Sequence, residues 1–260
     1  VVHQSEASVN ISSGTGLART IIQSNAGSVN IAAANTENII DIIASLSGST
    51  QGTAVAGVLG VLITLSKTNV AIGDYVSILA AKDIGITTSS DSVQVFVSFG
   101  ASGSSSGSAG GATIAVSVFE RESKIDIGDY FVARATTGDI YIAAIARDVT
   151  VLVAFAAAAS ASGNALSGTI PVVVAENTAG VTIGDFADLR AGGSIAFAGY
   201  LEDTVVDAAG GLALSNGVGV GATISTAVFN NSIFANIGKN ATLYAEGLTP
   251  GIRTPNRAER

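Results

Sequence analysis

A four-residue phrase recurs along this chain at nearly constant spacing. Ile72-Gly73-Asp74-Tyr75 returns as Ile127-Gly128-Asp129-Tyr130, as Ile183-Gly184-Asp185-Phe186 and, more loosely, as Ile237-Gly238-Lys239-Asn240, at intervals of 55, 56 and 54 residues. A fixed period of this kind marks a repeat array, in which each unit buries its apolar face only by stacking on its neighbours. The surroundings repeat too. An alternating segment precedes each phrase: Val58–Leu65, Thr113–Phe119, Thr169–Val174 and Thr223–Phe229. Before each of these lies a tract of Gly, Ser and Ala: Ser45–Gly57, Gly100–Gly111, Ser160–Gly168 and Ala208–Gly221.

The alternating segments are rich in Val, Ile and Thr with a period of two, which predicts strands. Thr36–Leu46 carries Ile39, Ile40, Ile43 and Leu46 at helical spacing, but it aligns with the Val93–Phe99 strand position and is read as strand with one helical turn at most. The expected fold class is all-β: a parallel β-solenoid over residues 1–247, followed by a short tail, 248–260. A unit of about 55 residues exceeds the usual length of one solenoid rung, so two or three rungs per unit are expected. The small-residue tracts should stack along one edge. The inward positions should hold Val93, Val95, Val97, Val149, Val151, Val153, Val205 and the Ile of each Ile-Gly pair.

Composition agrees with thin, regular layers. Apolar residues make up 48% of the chain but aromatics only 5%, so Ala, Val, Ile and Leu fill the core. There are 31 Gly, 3 Pro and no Cys, Met or Trp. The lack of cysteine excludes disulfides, thiolate metal sites and thiol nucleophiles. Net charge is −8, and three of the 12 basic residues, Arg253, Arg257 and Arg260, sit in the tail. Such a balance argues against nucleic acid and anionic membrane surfaces as partners. No apolar run is long enough for a spanning helix, so no membrane insertion is expected. The opening residues Val1-Val2-His3 read as those of a mature or excised piece.

Candidate chemistry is sparse. At Gly73-Asp74, Gly128-Asp129, Gly184-Asp185 and Gly238, glycine is expected to supply positive φ at a corner and aspartate to hold the turn backbone. A cation row along the three Asp would be broken by Lys239, and the carboxylates would lie two or three rungs apart. His3 is the only histidine, so no triad or histidine metal site is available. Gly103-Ser104-Ser105-Ser106-Gly107 matches the nucleophile-elbow pattern without its helix or histidine. Gly217–Gly221 resembles part of a dinucleotide loop without a following helix. Glu120, Arg121, Glu122, Lys124 and Asp126 alternate in sign and read as a solvated face. No catalytic, cofactor-binding or metal residues are assigned. Two other readings stand beside the structural one: a carbohydrate-active β-helix enzyme, which needs clustered carboxylates, and an outer-membrane β-barrel, which needs aromatic girdles.

The repeated phrase is clearest at Ala222-Thr-Ile-Ser-Thr-Ala-Val-Phe-Asn-Asn-Ser-Ile-Phe-Ala-Asn-Ile-Gly238. It resembles the repeats of leukotoxin-type filamentous adhesins, large bacterial exoproteins with right-handed parallel β-helix repeats, over roughly Ala7–Gly247. The resemblance implies a secreted or cell-surface location, a structural role without catalysis, and a host or neighbouring cell surface as ligand. It makes the chain a segment of a longer exoprotein or a smaller relative that assembles. Uncapped terminal strands point to a head-to-tail homo-oligomeric filament, with the tail arginines Arg253, Arg257 and Arg260 clasping an acidic neighbour.

Overall fold

A computed structural model describes residues 1–248. The chain is a parallel β-solenoid. Among the described residues there is no helix. Four complete rungs follow one another, each made of a long, a short and a long strand. The first is β1 (Val2–Ile11), β2 (Thr20–Ser24) and β3 (Val29–Ser49); the second is β4 (Ala54–Ile72), β5 (Val76–Ala80) and β6 (Ile84–Ser104). The third is β7 (Ala109–Ile127), β8 (Val132–Ala135) and β9 (Ile140–Ser160); the fourth is β10 (Ala165–Ile183), β11 (Asp188–Ala191) and β12 (Ile195–Ser215). Then β13 (Gly219–Thr223) and β14 (Thr226–Ile237) begin another turn, closed by β15 (Thr242–Ala245). Three parallel sheets result: β1-β4-β7-β10 with β13 and β14, β2-β5-β8-β11-β15, and β3-β6-β9-β12.

The register corrects the expected rung size. Ile72 pairs with Ile127, Ile127 with Ile183, and Ile183 with Ile237, so each repeat is a single rung. Strand length accounts for this. Ile140–Ile142 and Asp148–Val151, each of which alone would pass for a short strand, both belong to β9, which has 21 residues. The small-residue tracts do stack: Ser104 pairs with Ser160 and Ser160 with Ser215, while Gly57, Ala112, Gly168 and Ala222 form one column. Thr36–Leu46 is strand throughout, in β3, opposite the Val93–Phe99 position.

In cross-section the rung is a wedge. Where all three sheets meet, a branched-chain core is sealed by Ile72, Ile127 and Ile183, by Ile78, Ala133 and Leu189, and by Ile84 and Ile140. Beyond it only the two long-stranded sheets remain, packed on Leu62, Phe96, Phe119, Leu152 and Val173. At the far edge they close on alanines, Ala109, Ala158 and Ala165. Small side chains there let the two sheets converge into a tight turn.

All but one of the valine assignments are overturned. Val93 is 42% exposed, and Val95, Val97, Val149, Val151 and Val153 are not among the fully buried residues, whereas Gln94, Phe96, Ser98, Thr150 and Leu152 are buried. Val205, in register with Thr150, does face inward and packs partly buried against the core. Side chains alternate without a break from Ile84 and Ile140 at one end of β6 and β9 to Ser104 and Ser160 at the other. The isoleucines, committed to the three-sheet core, therefore place the even positions inside all along the strand. As a result, both long-stranded sheets carry apolar outer rows in the thin half of the wedge. Ile40, Val95, Val151 and Val206 form one such row, and Leu59, Ile114, Ile170 and Ile224 run along the opposite sheet.

Candidate functional site

The repeated Gly-Asp phrase forms a ladder up the corner between the first and second strands of every rung. Asp74 Oδ1 accepts the backbone N–H of Asp129 at 2.8 Å, Asp129 Oδ1 that of Asp185 at 2.8 Å, and Asp185 Oδ1 that of Lys239 at 2.7 Å. Below them, Ser13 Oγ accepts the N–H of Asp74 at 3.0 Å. Each carboxylate thus holds the turn one rung above its own. The carboxylates lie one rung apart, not two or three, and Lys239 continues the ladder through its backbone.

The role of the glycines differs from expectation. Gly73, Gly128, Gly184 and Gly238 do not adopt positive φ. A Cβ on Gly128 would collide with Asp74 Oδ1, and those on Gly184 and Gly238 with Asp129 Oδ1 and Asp185 Oδ1. Glycine is needed because the ladder carboxylate occupies that space. Positive φ falls on the next residue but one, at Tyr75, Tyr130, Phe186 and Asn240, with φ of 54–57°. There the left-handed conformation turns the ring outward. Tyr75 stacks on Tyr130 at 4.7 Å between centroids, and Tyr130 on Phe186 at 4.9 Å. Arg19 closes the bottom of this column, 6.0 Å over the Tyr75 ring, with Nε donating to Ser77 Oγ at 2.8 Å.

Two more ladders mark the other corners. Asp83 Oδ1 accepts the N–H of Asp139 at 3.0 Å, and Asp139 Oδ1 that of Ser194 at 2.7 Å. At the narrow edge, Ser104 Oγ donates to Gly52 O at 2.6 Å and accepts from Gly107 N at 2.9 Å; Ser160 repeats the arrangement with Gly107 and Gly163. The elbow-like Gly103–Gly107 segment is therefore a structural turn, and Ser105 Oγ donates to Thr50 O at 2.6 Å. Gly219–Gly221 lies in β13, with no helix after it. The spacing of Ser104, Ser160 and Ser215 already follows the repeat. That spacing could have revealed this ladder in the sequence.

A charged column runs through the interior, and the sequence reading missed it. Ser5, Ser66, Arg121, Asn177 and Asn231 stack in one sheet; Glu37, Ser92, Asp148 and Asp203 stack in the facing one. Arg121 Nη1 lies 2.7 Å from Asp148 Oδ1, with side chains 1% and 0% exposed. Above them, Asp203 Oδ2 accepts from Asn177 Nδ2 at 2.8 Å and from Asn231 Nδ2 at 2.7 Å. Below, Ser5 donates to Glu37, and Asn35 Nδ2 donates to Ser66 Oγ at 2.9 Å. Burial raises the pKa of Asp148 against the opposing pull of Arg121 and the Thr150 hydroxyl. Burial likewise raises that of Glu37, opposed by Arg121 and Asn35.

The Glu120–Asp126 segment is thus only partly the solvated face expected. Glu120, Glu122, Lys124 and Asp126 point outward from β7, with Lys124 3.0 Å from Glu122, but Arg121 points into the core. His3 sits on β1, paired in register with Thr64. Among the described residues, no group of three or more His, Asp or Glu is arranged to hold a metal ion. No helix there is long and apolar enough to cross a membrane. The ladders supply hydrogen-bonded spacing rather than an acid–base pair. Arg253, Arg257 and Arg260 lie outside the described residues.

Comparison with protein families, with curated proteins and with solved structures returns no match.

Proposed function

We propose that the chain is an extracellular structural protein, a subunit or segment of a bacterial surface filament of the filamentous-adhesin kind. One observation carries this reading: among the described residues, β1, β2 and β3 at one end, and β12, β14 and β15 at the other, each have one edge without a strand partner. An in-register parallel array with open edges extends by adding rungs, from a second copy or from more of the same polypeptide. Stacking that repeats one contact without closing makes a fibre. The three corner ladders support this, since they hold every rung at the same spacing. The surface such a fibre meets is another cell or a host. Electron microscopy of the purified chain tests the proposal. Rods longer than one copy are expected, growing with concentration. Particles of single-copy length at every concentration would refute the stacking.

A further inference from the structure

The space between the two long-stranded sheets holds an unbalanced set of charges. Among the described residues, the sheet of β3, β6, β9 and β12 points Glu37, Asp41, Asp148, Asp203 and Asp207 inward, and the facing sheet answers with Arg121. Arg121 pairs with Asp148, in the middle of the array. The other four carboxylates lie on the two outermost strands, β3 and β12. Glu37 and Asp203 share a column with Ser92 and Asp148. Asp41 and Asp207 share another, whose inner members are the buried Phe96 and Leu152. Where the inner rungs bury an apolar side chain, both end rungs therefore present a carboxylate. Glu37 Oε2, Asp41 Oδ2 and Asp207 Oδ1 are enclosed by the fold without a hydrogen-bond partner. Inward-pointing charge on an edge strand is one way in which natural sheets resist further pairing.

We infer that these four carboxylates are a pH gate on the open ends of the solenoid: ionised, they resist a further rung, and protonated, they admit one. The inference rests on the proposed stacking and adds its regulation.

Desolvation fixes the sign. The four residues are half-buried, with no strand on their outer side. A strand laid on β3 or β12 takes the carboxylates out of water, which penalises their charged form. The stacked state then binds protons more tightly than the free end, so stacking strengthens as pH falls. Two copies that meet through this sheet also set Glu37 and Asp41 of one against Asp203 and Asp207 of the other, which adds repulsion between like charges. Glu37 shows part of the effect within one copy: burial raises its pKa against the pull of Arg121, Asn35 and His3.

The groups facing the four do not cancel this charge. From the opposite sheet, His3 on β1 and Arg121 on β7 are the basic side chains, and the Val1 amino group is held by Val61 O at 2.7 Å. The inward positions of β4, β10, β13 and β14 carry no titratable side chain, nor do those of β6. Asp148 on β9 adds to the negative charge beside Asp203. A cationic His3 offsets Glu37 and so works in the same direction as acid.

Light scattering of the full chain, with EDTA present, reads the protein concentration at which rods longer than one copy appear. It is taken at neutral pH and at about pH 5, which stays above the isoelectric point of about 4.5. Wild type is compared with Asp41→Asn/Asp207→Asn and with Glu120→Gln/Glu122→Gln, which removes the same charge from the outer face of β7. Each replacement matches the original side chain in shape, so folding is retained, as circular dichroism verifies. Wild type is expected to assemble at a concentration lower by about tenfold or more at the acid pH, the change that one unit of pKa shift on assembly supplies. The Asp41/Asp207 variant reaches that low onset already at neutral pH, and the outer-face variant follows wild type. A wild-type onset that ignores pH overturns the gate and leaves the stacking intact. So does an equal shift in both variants, the signature of net charge alone, or an Asp41/Asp207 variant that behaves as wild type. Absence of rods from all three proteins at both pH values overturns the stacking, and the gate falls with it.

Discussion

Asp74 Oδ1 occupies the space that a Cβ on Gly128 would need, while accepting the N–H of Asp129 at 2.8 Å. One carboxylate therefore dictates glycine at one position and holds the backbone at the next. Gly128→Ala is expected to cost about 1–3 kcal/mol, the usual penalty for overpacking. Asp74→Ala removes one hydrogen bond at an exposed corner and should cost about 1 kcal/mol. Thermal melting of both variants checks the order. A Gly128→Ala chain that melts with the wild type would show that the ladder yields freely.

The interior pair gives a larger effect. Arg121→Leu leaves Asp148 buried without its cation and is expected to lose about 3–5 kcal/mol. Arg121→Leu combined with Asp148→Leu should recover most of that loss, since apolar replacements of a buried pair are often neutral. Denaturant titration of the three proteins is the measurement. Equal stability of the single variant and the wild type would place Arg121 outside the core.

Asp148 also predicts a dependence on pH. Burial holds its folded pKa above the ordinary value of 3.8. The folded state therefore binds this proton more tightly than the unfolded state does. The cost of the ionised carboxylate is present in full above the folded pKa. It shrinks as pH falls through that value towards 3.8. Calorimetry from neutral pH downward should show wild type gaining stability relative to Asp148→Asn. A constant difference would mean that this carboxyl is not desolvated.

At the aromatic column, Tyr130→Asn and Tyr130→Val separate conformation from stacking. Both lose the ring contacts with Tyr75 and Phe186, worth about 0.5–1.5 kcal/mol each. Only valine also resists positive φ, because its branched Cβ crowds the backbone. Tyr130→Val should melt below Tyr130→Asn; asparagine already fills this position at Asn240. The reverse order would argue against a left-handed conformation at residue 130.

The alternation along β9 makes its own prediction. Leu152→Lys buries a charge and should abolish or severely reduce folding, whereas Val151→Lys should change stability by about 0.5 kcal/mol or less. Comparison of the two melting curves tests which face is inside. The opposite ranking would restore the expectation that Val151 is core.

That last pair shows where reading the sequence succeeds and where it fails. The period of Ile72, Ile127, Ile183 and Ile237 is visible because the same residues return at the same corner, and those isoleucines are indeed stacked inside or partly inside the wider core. The valines mislead because a local rule, apolar side inward, was applied to segments that belong to longer strands. Within one uninterrupted strand only one parity can face inward, and Ile140 and Ile142 had already taken it. The interior column escaped for another reason. Ser66, Arg121 and Asn177 share a position but not a chemistry, so no repeated letter marks them, and Arg121 finds Asp148 only once the sheets face each other. The ladder aspartates were legible as turn residues. Their reach to the rung above depended on knowing that one repeat is one rung.

Because Ile72 meets Ile127 across a whole rung, every strand pairing joins residues some 54–61 positions apart. Closing a loop of that length costs about 3.5 kcal/mol in chain entropy before any pairing offsets it. The first closure is therefore the slow nucleating event, and contact order this high predicts sluggish folding from solution. Once a rung exists, its edge is a template on which the next segment can zip. Under the proposed stacking, a finished end on another copy would offer the same template. Growth of the array and folding of the newcomer then become one process, seeded by solenoid already formed.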